Sequence, residues 1–134
     1  MKFVCLMYAD PKTLESLPEK ACQRLASESR LYGEVLARRG LCVASEALQC
    51  TATATTLRMR AGKLEISDGP FAETAEQLIG FLLLEADGLH EALHLAANIP
   101  AARVGSIEVR PVCDLAAHSP TVRSDDLEHR WATS

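Results

Sequence analysis

The sequence predicts an α+β fold in which two helices cover one face of an antiparallel β-sheet. Two kinds of apolar pattern alternate along its 134 residues. Short stretches are apolar at every position or at every second position, which is typical of strands, and two longer stretches are apolar at every third or fourth position, which is typical of helices. The chain length fits one domain with a substantial core.

The first half of the chain predicts a strand, a long helix and a second strand. Residues 2–9 form the first strand, and because both of its alternating sets are apolar, both faces should be covered. Ser16 and Glu19 match a capping box, and a glycine follows two arginines about twenty residues later. We therefore predict a helix over about 17–39, followed by a strand at 41–47.

A β-hairpin is predicted next. Residues 56–60 and 63–67 alternate between polar and apolar side chains, and the Ala61-Gly62 pair between them suits a tight turn. After the loop that follows the hairpin, residues 74–77 are predicted to form one helical turn.

The second half predicts another strand, helix and strand. Residues 78–86 read as a central strand that is apolar on both faces, in which Gly80 marks a bulge or a close backbone approach. Asp87 is the predicted N-cap of the second helix, and Pro100 stops that helix. The last strand, 106–112, has one apolar and one charged face.

This order of elements is a split βαβ arrangement with an inserted hairpin, which predicts a ferredoxin-like α+β fold for residues 1–115. The two helices cover one face of the sheet only, although two strands are apolar on both faces. We therefore expect a homodimer with the sheets face to face. Residues 116–134 read as a polar tail, in which Leu127 and Trp131 suggest docking.

Charge and cysteine content narrow the class of protein. A formal net charge of −4 argues against nucleic-acid and membrane-surface partners, and no apolar run is long enough to span a membrane. The five cysteines are odd in number and include no Cys-x-x-Cys pair, which predicts reduced thiols in the cytoplasm. Cys5 has no cationic neighbour in sequence to lower its pKa, so we interpret it as an inert core residue.

The Asp-Gly-Pro-Phe loop at 68–71 is the strongest candidate site. Asp68 and Glu73 provide two nearby carboxylates, and a carboxyl group with a raised pKa would serve general acid–base chemistry. An Asp before Gly-Pro is also a common turn former that binds its own backbone. Both interpretations of the loop stay open.

Three further side chains are predicted to line the same cleft, at the interface of the dimer. Arg110 lies on the charged face of the last strand and could bind a carboxylate or pair with the loop. Tyr8 could donate a hydrogen bond there, although packing is an equally simple role. Phe71 would supply an apolar wall.

Residues 90–94 read His-Glu-Ala-Leu-His, which matches a zinc-protease pattern. Both histidines lie on the flank of the helix's apolar face, and no third ligand follows at the expected spacing. We therefore predict a surface helix and neither a catalytic metal nor a cofactor, with incidental metal binding left open. The apolar face is formed by Leu89, Ala92, Leu93 and Ala96.

The stretch Asp-Gly-Pro-Phe-Ala-Glu-Thr at 68–74 resembles the signature of the DGPF branch of the YCII-related superfamily. The resemblance covers about residues 1–115 and implies a dimeric α+β barrel with a pocket near the signature loop. Members of this branch are often encoded beside extracytoplasmic-function sigma factors. The other segments that carry the resemblance are 1–8, 52–58, 76–81, 91–93 and 99–112.

One departure limits what the resemblance implies. Other YCII-like branches, which include a dehydrochlorinase, carry a His on the first helix and an Asp just before the Pro that follows the second helix. Here the first helix has no His, and Ile99 precedes Pro100. The acid–base chemistry of those branches is therefore not expected, and any catalysis would fall to the signature loop.

The sequence thus predicts a cytoplasmic homodimer that binds a small polar molecule, with or without turnover, in a carboxylate-lined cleft. The alternative is a non-catalytic regulatory protein, linked to an extracytoplasmic-function sigma factor, that uses the tail as its contact.

Overall fold

A computed structural model of the protein describes residues 1–118, 124, 125 and 127. Four antiparallel strands form the main sheet, and a separate hairpin forms a two-stranded sheet. In the main sheet the first strand lies between the fifth and the sixth, which confirms the split βαβ topology and the inserted hairpin. The strands are β1 (Lys2–Ala9), β2 (Cys42–Ala47), β3 (Thr55–Arg60), β4 (Lys63–Asp68), β5 (Gln77–Glu85) and β6 (Gly105–Pro111), and the main sheet has the order β2-β5-β1-β6.

The helical segments are α1 (Pro11–Ser16), α2 (Glu19–Arg38), α3 (Leu89–Ala96) and α4 (Leu115–His118), with 3-10 helices at Thr51–Thr53 and Pro100–Arg103. None of the helices in the described residues is both long and apolar enough to cross a membrane. The predicted tail begins within α4, and Trp131 lies outside the described residues.

The predicted capping box at Ser16 is wrong. The Ser16 hydroxyl donates to the Thr13 carbonyl at 2.8 Å and closes α1, whereas α2 begins after Pro18 without a side-chain cap. Leu17 is extended, with φ −71° and ψ 139°, because a residue that precedes proline is kept out of the helical region. The predicted helix over about 17–39 is present as α2, and α1 precedes it as a helix that was not predicted. Asp10 caps α1 by accepting from the Lys12 amide at 2.9 Å.

Two smaller predictions are also wrong. Gly88, not Asp87, is the N-cap of α3, and it has no side-chain cap bond. Residues 74–77 form no helical turn: the Thr74 hydroxyl donates to the Glu76 carbonyl at 2.6 Å, and β5 begins at Gln77.

The core lies between the helices and one face of the main sheet. Alternate residues of β1 and β5 are buried on that face, as the sequence predicted. The predicted apolar face of α3 is partly wrong, because Leu89 and Leu93 remain 50% and 48% exposed. The small side chains of α3 face the core instead, which lets the helix backbone approach the sheet. The main buried residues are Phe3, Cys5, Leu36, Leu82, Leu84, Ala92, Ala96 and Ile99.

Gly80 marks both a bulge and a point of close approach, as predicted, and the extra residue of the bulge is the adjacent Ile79. The register between β1 and β5 shifts by one residue between Met7 and Tyr8, opposite Gly80. A Cβ atom on Gly80 would lie 2.7 Å from the Glu46 carbonyl oxygen of β2, so only glycine fits there without a shift.

The opposite face of the sheet is apolar along its centre and charged along β6. Val4, Leu6 and Leu83 are half-buried on it, and Glu108 and Arg110 are exposed beside them. The β3–β4 hairpin also has one apolar face, and each of its four side chains there is more than half exposed. That face, the hairpin apolar face, consists of Leu57, Met59, Leu64 and Ile66.

Candidate functional site

Two of the predicted site residues lie on the face of the sheet that the helices do not cover. Tyr8 is opposite Ser106 and Arg110 is opposite Val4, so the two side chains are four residues apart along the strands, or about 13 Å. The Tyr8 hydroxyl approaches a Glu108 carboxylate oxygen at 3.5 Å, which is long for a hydrogen bond.

The other three predicted residues lie in and beside the signature loop. Asp68 ends β4 opposite Thr55 and is exposed, and Phe71 is 76% exposed. Glu73 lines a shallow depression of about 430 Å³ next to this loop. Among the described residues no salt bridge joins Arg110 to Asp68 or Glu73. The structure therefore places the five residues in two groups, on the sheet and in the loop.

Gly69 anchors the signature loop to the hairpin. Its amide donates to the Ala54 carbonyl at 2.7 Å, and its carbonyl accepts from the Thr56 hydroxyl at 2.7 Å. Its φ of 95° is one that residues with side chains rarely adopt, so glycine is required there. The turn role that the sequence suggested for Asp-Gly-Pro thus has a structural basis in Gly69.

Glu76, a residue that the sequence reasoning passed over, lies just before β5. Its carboxylate accepts from the Ser106 hydroxyl at 2.9 and 3.0 Å and so ties the end of the signature loop to β6. No local sequence pattern marks this contact, because its two residues are 30 positions apart.

A larger pocket, of about 550 Å³, lies between α2 and the main sheet. We call it the helix–sheet pocket. Its walls come from α1, from the middle of α2, from β1, β2 and β5, and from the start of the second 3-10 helix. The apolar residues that line it include Leu14, Leu17, Leu25, Ala26, Ile79, Leu82, Ile99 and Pro100.

The pocket exists because the first half of α2 does not pack closely on the sheet. The buried residues of α2 are Gly33 and Leu36, both in its second half. Ala26, in the first half, and Ser29, just past the midpoint, line the pocket, and their side chains are too small to fill the space. The signal for this pocket in the sequence is the small size of Ala26 and Ser29, at positions of α2 where larger side chains would complete the core.

Three of the polar side chains that line the pocket, Ser29, Arg30 and Tyr32, have partners within the protein. The Tyr32 hydroxyl donates to the Leu95 carbonyl at 2.6 Å, and the Ser29 hydroxyl donates to the Leu25 carbonyl at 2.7 Å. Burial raises the pKa of Tyr32, and the nearby Cys5 adds to the shift, so this phenol is neutral at physiological pH. Arg30 pairs with Glu34 at 3.1 Å. The lining therefore suits an apolar occupant with few polar groups.

Cys5 lies in the core beside this pocket and is fully buried. Burial, and secondarily the neighbouring Cys42, raises the pKa of Cys5 to about 11. The thiol is protonated at neutral pH and lacks the thiolate that a nucleophile needs.

His90 and His94 are exposed on α3. In the part of the chain that the structure describes, no group of three His, Cys, Asp or Glu side chains is placed to hold a metal ion. The His-Glu-x-x-His pattern therefore has no third protein ligand within those residues.

Comparison with known proteins identifies the family. The model of the YCII-related domain matches residues 1–116. An uncharacterized protein of Rhizobium meliloti (strain 1021) is 34% identical over 114 residues, which cover 84% of this chain and 92% of that protein.

A solved structure, the 5-chloro-2-hydroxyhydroquinone dehydrochlorinase of Burkholderia phenoliruptrix AC1100 in complex with 2,5-dihydroxybenzoquinone, is also similar to this chain. It shares 16% identity at a TM-score of 0.49, over 84% of this chain and 94% of its own. The match to the family model and the alignment with the Rhizobium protein each cover more than four fifths of this chain. The chain therefore belongs to the family of YCII-related domains.

Proposed function

We propose that the protein binds a small, largely apolar organic molecule in the helix–sheet pocket. The observation that supports this proposal is the pocket itself, about 550 Å³ of space against the core that the protein's side chains leave unfilled. Protein interiors normally contain few voids larger than a water molecule, whereas ligand sites are concave, mostly apolar and about 300–1,000 Å³ in volume.

A few polar groups at the pocket would orient such a ligand. The Tyr32 hydroxyl donates to Leu95, but its oxygen keeps lone pairs that can accept a hydrogen bond. Ser45 and Glu46 line the pocket from β2, opposite α2. Ile99 is apolar at the position where other YCII-like branches carry Asp, which favours binding over acid–base chemistry in this pocket.

Blocking the pocket tests this proposal. Ala26→Trp would place a large side chain in the space between α2 and the sheet, while Ser27→Trp places the same group at an exposed position of α2 that does not line the pocket. We expect the neutral fluorophore N-phenyl-1-naphthylamine to bind wild type and Ser27→Trp alike, and Ala26→Trp at least about tenfold more weakly. Fluorescence titration measures the dissociation constants, and circular dichroism checks that both variants are folded.

Absence of saturable binding to wild type would contradict the proposal, as would equal dissociation constants for the two tryptophan variants.

The signature loop is a second candidate, for the polar ligand that the sequence predicts. The depression of about 430 Å³ beside Glu73 favours it. Membership of the DGPF branch would also favour it. In this proposal two protomers form the cleft together. Tyr8 and Arg110, on the open sheet face that the helices do not cover, would then lie next to Asp68 and Phe71 of the loop.

We also propose that the chain is a homodimer. The support is the apolar centre of the open sheet face together with the hairpin apolar face, since exposed apolar patches of this kind mark protein contacts. Light scattering is expected to give twice the mass of one chain. Leu83→Glu, at the centre of the open face, should shift the mass to that of a monomer, while Leu31→Glu on the exposed side of α2 should not. A monomeric wild-type protein at micromolar concentration would contradict the proposal.

A further inference from the structure

A second depression adjoins the helix–sheet pocket at the start of α2. It measures about 470 Å³, and it shares two lining residues, Leu17 and Leu25, with the apolar pocket. The second 3-10 helix also belongs to both, because Pro100 lines the apolar pocket and Arg103 lines the depression. The two spaces therefore adjoin at Leu17 and Leu25.

The depression is cationic. Lys20, Arg24 and Arg103 line it, and among the described residues no Asp or Glu does. This local concentration of positive charge contrasts with the formal net charge of −4 for the whole chain. An anion in the depression would therefore be attracted by Lys20 and Arg24 and by Arg103, of which only Arg103 is paired with a carboxylate, that of Glu28, in the described part of the chain.

Two of these cations have no partner of opposite charge within the described part of the chain. Lys20 and Arg24 are four residues apart on one exposed face of α2, and neither takes part in a salt bridge with any described residue. Like charges at this spacing destabilise a helix slightly, and a bound anion would offset that repulsion.

The third cation is held in place. An Arg103 Nη2 atom forms an ion pair with the Glu28 carboxylate, and its Nε donates to the Pro100 carbonyl at 3.4 Å. These contacts fix the guanidinium at the edge of the depression and leave its remaining N–H groups free to donate.

We propose that the ligand of this protein is an amphipathic organic anion, with its apolar part in the helix–sheet pocket and its carboxylate, sulfonate or phosphate group against Lys20, Arg24 and Arg103. This inference rests on the proposed function and adds the charge of the ligand to it. Leu17 and Leu25 contact the molecule where its apolar and charged parts join.

Two probes with the same aromatic skeleton test the inference. 8-Anilinonaphthalene-1-sulfonate carries a sulfonate, and N-phenyl-1-naphthylamine does not. In the double variant Lys20→Gln/Arg24→Gln we expect the sulfonate probe to bind about tenfold more weakly and the neutral probe to bind within twofold of wild type. Raising the salt concentration should weaken only the sulfonate probe.

The control is Arg38→Gln/Arg39→Gln, at the end of the same helix. It also removes two positive charges, but from exposed positions that line neither the helix–sheet pocket nor the depression. The affinity for the sulfonate probe should therefore stay within twofold of wild type. Ala26→Trp should weaken both probes, because both place their aromatic rings in the apolar pocket.

The outcomes separate the two proposals. Suppose that the neutral probe binds in the pocket, but that the double variant at Lys20 and Arg24 binds the sulfonate probe as tightly as wild type or the control does. The inference about charge is then overturned, and the proposed function stands. If neither probe binds wild type saturably, the proposed function fails and this inference fails with it.

Discussion

Gly105→Ala is expected to destabilise the fold by about 3 kcal/mol or more. A Cβ atom at this position would lie 1.9 Å from the Tyr8 carbonyl oxygen and 3.1 Å from the Ala9 Cα. Both are backbone atoms of β1, so no rotation of a side chain relieves the overlap. β1 is a central strand, and moving it away from β6 would break pairing that runs from Phe3 to Ala9.

Gly88→Ala is the matched control. A Cβ atom there would meet nothing within 4 Å, and the φ of −176° is extended backbone that any residue adopts. The expected cost is about 1 kcal/mol or less, from the poorer N-cap of α3. Urea denaturation followed by circular dichroism compares the three proteins, and equal midpoints for the two variants would show that β1 and β6 are not packed as described.

The strands could be predicted from sequence because their signals are local. The Ala61-Gly62 turn is an example: both residues have positive φ, 50° and 75°, as the two-residue hairpin turn requires, and the flanking residues alternate as strands do. The wrong start of the long helix has a local reason too. Ser16 and Glu19 match a capping box, but Pro18 keeps Leu17 out of the helical region, so Ser16 closes α1 and does not cap α2.

The helix–sheet pocket could not be predicted in the same way. Its walls join Leu25 of α2 to Ile79 of β5 and Ile99 before the second 3-10 helix, and the distances between these residues depend on the whole fold. A cavity forms where the side chains that face each other across two layers have too little volume to fill the space between those layers. Leu25 and Ile79 belong to ordinary apolar patterns, and Ile99 stood out only as a departure from the Asp of other YCII-like branches, so the sequence drew attention to the polar signature loop instead.

Phe3→Ala is expected to cost about 3–5 kcal/mol of the free energy of unfolding. Phe3 is 1% exposed and lies on the helix-facing side of β1, in a cluster with Ala86, Ala92 and Val109. Because the neighbours are small or half-buried, they offer little to fill the cavity left by the lost ring. Chemical denaturation measures the loss, and a change below about 1 kcal/mol would contradict this account of the core.

Phe71→Ala makes the same chemical change in the signature loop and should alter the free energy of unfolding by less than about 0.5 kcal/mol, because the ring is 76% exposed. Because the variant stays folded, it can be used to test whether the loop binds a ligand.

In a thermal-shift screen of small metabolites, a ligand that stabilises wild type and Ala26→Trp but not Phe71→Ala would assign its binding to the signature loop. A ligand that stabilises wild type and Phe71→Ala but not Ala26→Trp would assign binding to the helix–sheet pocket, and the signature would then be a turn whose requirement for Gly69 is structural.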